Sequence, residues 1–248
     1  MPLYAMMGDK EFLTVGWYGK IPSLGDFVSR RLPPSFIDIW DTWLQKAIAS
    51  SREQLGEHWL DLYLTSPIWR FILMPDTCGN TKVWTGILMP SVDKVGRHFP
   101  LTIVTEIEPY PGTVLSILLA QHWYAALEQV ALTSLDFNIS PDDLDQNLSC
   151  HPPPIFSGAG SSFYRQELGD WWQASSLKGN NHQSLSLPTT DSLVEVFNEA
   201  SQDVFSKIGL GKSIWWKVDF ETDKTQLHCF TGLPPENNFS ILLDNVTQ

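Results

Sequence analysis

The chain has 248 residues, a formal net charge of −12, and 43% hydrophobic residues with 11 Trp among them. That length fits one large domain or two small ones, and roughly three quarters of the unfolded surface can be buried without staples. The negative charge opposes nucleic-acid backbones and anionic lipid surfaces as targets and suits a basic protein partner.

In chain order, residues 13–18 predict a first strand that enters a loop over 19–34. This loop places Gly19, Lys20, Pro22, Gly25, Asp26 and Phe27 close together. Gly and Pro at this density fix a backbone shape, and shaped loops on a scaffold often carry function. A helix is expected from Ser35, with Asp38 three residues on completing a capping-box pattern. Phe36, Trp40, Trp43, Leu44, Ala47 and Ile48 fall on one face at helical spacing and read as core, while Asp38, Asp41 and Gln45 fall elsewhere.

Residues 56–65 read as a short aromatic connector. Two strands are expected at 68–74 and 82–89, joined by a turn at 75–80. A second dense segment covers 89–100, Met-Pro-Ser-Val-Asp-Lys-Val-Gly-Arg-His-Phe-Pro, and contains Ser91, Asp93, Gly96 and Arg97. A third strand spans 99–107, where the Thr-Ile-Val-Thr run is strongly β-forming. After a break at 109–112, residues 113–132 predict one long helix buried over most of its surface.

The composition shifts at 134–154, where Asp136, Asp142, Asp143 and Asp145 precede three prolines. It reads as an exposed connector with one helical turn after Ser140 and is the candidate boundary. A small-residue loop at 158–162 leads to a helix bearing Trp171 and Trp172. Residues 175–190 are polar, and Asp191 caps a helix reaching Lys207. Strands at 213–220 and 225–232 form a pair, in which the adjacent Trp215 and Trp216 point to opposite faces. A short helix at 237–243 follows. Successive strands with short links and covering helices predict an α/β layered fold, with a central mixed or antiparallel sheet flanked by helices.

Familiar chemistries are sought and not met. Gly209-Leu-Gly-Lys-Ser213 lacks the leading Gly of a phosphate loop, because Ser206 stands there, and it joins helix to strand instead of strand to helix. Gly158-Ala-Gly-Ser-Ser162 is not a nucleophile elbow. The six His are scattered without metal spacing, and the acidic run lacks the Gly and terminal Glu of a calcium loop. No metal and no cofactor are expected. Cys78, Cys150 and Cys229 lie far apart without a CxxC pair, which predicts buried thiols in a reducing compartment. The first ten residues lack a signal-peptide pattern, and the apolar runs at 68–74 and 114–120 are too short to span a bilayer, so a cytoplasmic protein is expected.

The two dense loops remain. They are expected to lie side by side, with Asp26 pairing to Arg97 or Lys20. Such a pair fixes loop geometry or touches a partner more readily than it does chemistry. His98 beside Arg97 reads as a loop histidine before a catalytic one. The competing reading is a small hydrolase or transferase with a site near Lys20, Asp26 and Arg97, which requires a deep polar pocket there.

The segment Gly-Trp-Tyr-Gly-Lys-Ile-Pro-Ser-Leu-Gly-Asp-Phe at 16–27 resembles the opening signature of the TagF (ImpM) family of type VI secretion-associated proteins. The likeness continues through Trp40-Asp-Thr-Trp-Leu44, Tyr63-Leu-Thr-Ser-Pro-Ile-Trp-Arg-Phe71 and the run from Gly86 to Leu101, and returns at Ser213-Ile-Trp-Trp216 and Gly232-Leu-Pro234. It is strongest over 13–107 and weak over 134–190. The resemblance implies a single layered α/β domain over 1–248. It also implies a cytoplasmic, non-enzymatic regulator in a Gram-negative bacterium. Such a protein represses type VI secretion post-translationally by binding an FHA-domain scaffold or another apparatus component. The resemblance carries over no catalytic residues.

Overall fold

The computed structural model describes residues 15–109, 112–154, 207–219 and 224–243. The strands are β1 (Gly16–Gly19), β2 (Val28–Arg30), β3 (Trp69–Leu73), β4 (Val83–Met89), β5 (Leu101–Ile107), β6 (Lys212–Asp219) and β7 (Lys224–Thr231). They form one seven-stranded sheet in the order β2-β1-β5-β4-β3-β6-β7, with every neighbouring pair antiparallel. The expected α/β layered fold is therefore present, with the antiparallel form of the sheet.

One face is covered by α1 (Pro34–Leu55), α2 (Trp59–Thr65) and the terminal turn α6 (Ser240–Leu243). Phe36, Trp40, Trp43, Leu44, Ala47 and Ile48 are buried there, as their spacing predicts, against Phe71, Trp84 and Trp215 of the sheet. Each Trp carries an N–H that needs a partner once buried. Trp40 donates to Thr102 Oγ1 (2.8 Å), Trp43 to the Pro234 carbonyl (2.8 Å), Trp59 to Ser51 Oγ (2.9 Å) and Trp69 to the Leu242 carbonyl (2.6 Å). The indoles thus tie helix, sheet and C-terminal segment together as well as filling volume.

The other face is covered by α3 (Thr113–Leu119), α4 (Gln121–Thr133) and α5 (Pro141–Ser149), over a core in which Ile72, Ile87, Ile103, Leu127, Leu144 and Leu148 pack with Trp17 and Tyr124. Trp215 belongs to the first core and Trp216 to the second, so this strand is covered on both sides, as expected.

The structure departs from the sequence reading at several points. The Ser35–Asp38 capping box does not form. Pro33 is the N-cap, in extended conformation with no side-chain bond, and Pro34 begins the helix. Proline at the first helical position presets φ and has no N–H to satisfy, so the Pro pair sets the entry. The expected loop at 19–34 contains β2, which pairs Val28 with Gly19 and Arg30 with Trp17. The connector at 56–65 is a 3-10 turn, Gly56–His58, followed by α2.

The single helix expected at 113–132 is two helices that part at Ala120 (ψ 39°). There the Ala120 N–H donates to the Ile117 carbonyl, and the Ala120 carbonyl accepts from Trp123 and Tyr124, starting a new helix. After that restart Tyr124 packs on the sheet, edge-on to Trp216 (5.1 Å) and bonded to Thr85 Oγ1 (2.5 Å), and Trp123 donates to the His151 carbonyl (3.2 Å), while Leu115 and Leu119 are left exposed. The acidic segment after Ser140 is a nine-residue helix with a genuine Ser140–Asp143 capping box, not a single turn.

Cys78 is buried, and desolvation pushes its thiol up to about 12, but Cys150 and Cys229 are exposed, against the expectation of buried thiols. The helices and loops expected within 155–206 lie outside the described residues. No helix among the described residues is long and apolar enough to cross a membrane.

Candidate functional site

The dense loops leave the same end of the sheet, one from β1 and one from β4, and they meet before β5. Gly19 allows the approach. Its φ is +140°, and a Cβ placed on it would stand 2.2 Å from the Pro100 carbonyl oxygen, so no L side chain fits. Pro22 follows in a turn closed by the Leu24 N–H on the Ile21 carbonyl (3.1 Å), the position where proline's fixed φ is preset for a turn.

The second loop is a tight hairpin. Val92 bridges His98, the Asp93 N–H donates to the Arg97 carbonyl (3.0 Å), and the Gly96 N–H donates back to the Asp93 carbonyl (3.0 Å). Gly96 takes φ +83°, the left-handed conformation that closes this turn.

Asp93 is where the two loops join. Its Oδ2 accepts from Lys20 Nζ (2.8 Å) and Arg97 Nε (2.6 Å), and its Oδ1 accepts from the backbone amides of Val95 (3.0 Å) and Arg97 (2.8 Å). Burial by itself pushes this carboxyl up. The donors from Lys20, Arg97 and Val95 outweigh burial and hold Asp93 well below the usual carboxylate range. Further bonds complete the seam. Ser91 Oγ donates to the Lys20 carbonyl (2.7 Å), the Lys94 N–H donates to the Leu24 carbonyl (3.0 Å), and Arg97 Nη2 donates to the Gly25 carbonyl. From α2, the Tyr63 hydroxyl donates to the Ser91 carbonyl (2.9 Å) and accepts from the Ser91 N–H (3.1 Å).

The loops therefore do lie side by side, but the expected pairing of Asp26 with Arg97 or Lys20 is not what joins them. Asp26 faces solvent, and its Oδ1 accepts from the Phe27 N–H (2.8 Å). Lys20 is only 4% exposed, out of reach of a solvent-facing carboxylate, whereas Asp93 is held beside it by its own turn. Lys20, Asp26 and Arg97 accordingly do not converge as a hydrolase site requires: two of them are bound to Asp93 and the third points away. Sequence held a signal for this. Asp at the first position of a turn, Gly at the fourth and Arg next is a pattern that folds the Arg back onto the Asp.

Above the seam sits Phe27. Its ring stacks on Tyr18 (5.8 Å between centroids), meets Phe99 edge-on (4.8 Å) and lies 4.7 Å from Lys20 Nζ, yet it remains 41% exposed. His98 pairs through its backbone with Val92 and packs its ring edge-on against Trp59 and Tyr63. Burial and the nearby Arg52 charge hold its pKa below the ordinary histidine value. Among the described residues no three His, Cys, Asp or Glu side chains are placed to hold a metal ion.

Comparison with known proteins adds to this geometry. The sequence model of a family described as "TagF N-terminal domain, Type VI secretion system-associated" matches residues 16–150. No curated protein matches the chain. Among solved structures, PA0076 from Pseudomonas aeruginosa PAO1 is 29% identical and superposes with a TM-score of 0.68, over 95% of this chain and 96% of that one. Both loops lie within the family match.

Proposed function

The chain belongs to the TagF family of type VI secretion system-associated proteins, and from that premise we propose that it is a cytoplasmic, non-enzymatic repressor of type VI secretion that acts by binding. The partner is the FHA-domain scaffold of its secretion cluster, or another component of the apparatus. Repression of this kind works by differential affinity for one state of the partner. The observation that supports a binding role is the Asp93 seam. It joins two loops into a rigid projection, and that projection carries an exposed Phe27 (41%) and an exposed Val95 (70%). A preorganised loop lowers the ordering cost of association, and a fixed aromatic is the usual anchor of a protein interface. The chain is a single domain over 1–248 in this reading.

Co-purification with the proteins of the same secretion gene cluster tests the proposal, together with deletion of the gene. Capture of the FHA-domain protein and raised secretion on deletion are expected. If no cluster component binds and secretion is unchanged, the repressor reading fails.

A further inference from the structure

We propose that Gly25 is the contact point of the projection, a glycine kept bare for a partner and not for the fold. The inference rests on the binding role above. Three glycines shape the paired loops, and two have reasons within the chain: Gly19 stands against Pro100 and Gly96 takes a left-handed φ. Gly25 has neither. Its φ lies outside the left-handed region, and a Cβ placed on it would meet nothing within 4 Å. Glycine in an ordinary conformation is a liability, because it enlarges the conformational freedom of the unfolded chain. Its remaining use is to let another backbone or ligand come close.

The surroundings describe what comes close. The Gly25 carbonyl is held by Arg97 Nη2, and the neighbouring Leu24 carbonyl by the Lys94 N–H, so the Gly25 stretch is pinned beside the second loop. Phe27 follows it on the first loop, and Val95 projects from the tip of the second. Lys20, Lys94 and Arg97 carry three positive charges against two from Asp26 and Asp93, which leaves the projection net positive on a chain of net charge −12. Lys94 and Arg97 are exposed. The occupant that fits is a folded protein surface that sets an apolar side chain against Gly25, between Phe27 and Val95, and flanks it with carboxylates facing Lys94 and Arg97.

The test measures Gly25→Ala and Gly25→Val for melting temperature and for affinity to the purified FHA-domain protein of the chain's own secretion cluster, with Lys94→Glu beside them. Unchanged or raised melting temperatures are expected for Gly25→Ala, with affinity reduced at least tenfold for Gly25→Val and reduced for Lys94→Glu. A melting temperature lowered by several degrees in Gly25→Ala makes the glycine structural and overturns the inference, whatever the partner. Full affinity in Gly25→Val overturns it while leaving the repressor reading intact. Failure of the wild-type chain to bind the FHA-domain protein removes that partner and the inference with it.

Discussion

Among the described residues, two ionic clusters are built on a buried carboxylate, and they do different work. Arg70 on β3 and Glu128 on α4 form a two-pronged pair (2.6 and 2.9 Å), both side chains nearly inaccessible, with the Arg70 guanidinium also 5.4 Å from the Tyr124 ring. That pair bolts a helix to the sheet. The Asp93 cluster has an equally buried carboxylate, but one of its cations, Arg97, is 60% exposed, and its bonds join loop to loop. A buried pair with both charges sequestered holds layers together. A buried carboxylate with one cation in solvent holds the shape of a surface.

The largest effect follows from the first cluster. Replacing Glu128 with Leu leaves Arg70 buried without its counter-charge and is expected to cost about 3–5 kcal/mol in chemical denaturation. Replacing Arg70 with Met in the same protein should recover most of the loss, because an apolar pair of similar volume no longer strands a charge. A single variant that unfolds at the wild-type denaturant concentration would erase the contrast between the clusters.

Asp93→Asn comes next, at about 2 kcal/mol: it strands Lys20 but leaves an oxygen for the backbone amides of Val95 and Arg97. This variant also has a pH signature. The folded-state pKa of Asp93 lies below its unfolded value, which is about 3.9. Its contribution to stability is therefore complete above the unfolded value and is lost as pH falls towards the folded one. The wild-type chain should lose stability steeply in acid below about pH 4. The Asn variant should show a shallower slope there, and superimposable slopes would argue that Asp93 is not the acid-sensitive group.

Arg97→Ala should cost only about 1 kcal/mol or less, because solvent screens an ion pair whose cation is mostly exposed. In the binding reading it nonetheless loosens the hold on Gly25. Affinity for the FHA-domain protein should therefore fall by more than thermal stability does, and equal losses in both would reduce Arg97 to a structural brace.

These contrasts also explain what could be read in advance. The Trp40 face of α1 and the opposed Trp215 and Trp216 were legible because periodicity reports burial directly, and the strand expected at 82–89 was legible as a short apolar run after a turn. The break at Ala120 was not, since no Gly or Pro marks it; beyond it Tyr124 is bonded to Thr85 on the sheet and Trp123 to the carbonyl of His151, contacts that local sequence does not report. The helix at 141–149 was understated because its acidic residues and following prolines resemble a connector, while only Leu144 and Leu148 reveal a buried side. At the loops, composition located both partners and even included Asp93 among the candidates. It did not distinguish which carboxylate faces inward, because that depends on the direction a three-dimensional turn gives each side chain.

The smallest expected effect settles that last point. Asp26→Ala removes an exposed carboxylate whose one described bond is to the amide of its neighbour, Phe27. Its stability should stay within about 0.5 kcal/mol of wild type. A double-mutant cycle between Asp26 and Arg97 should give no coupling beyond error, whereas the cycle between Asp93 and Arg97 should give a clear one, since contacting residues in one network are not additive. Swapped results, with coupling at Asp26 and none at Asp93, would mean that in solution the outward carboxylate closes the seam. The two clusters would then differ in which charge is buried, and Lys20, only 4% exposed, would be left without its counter-charge.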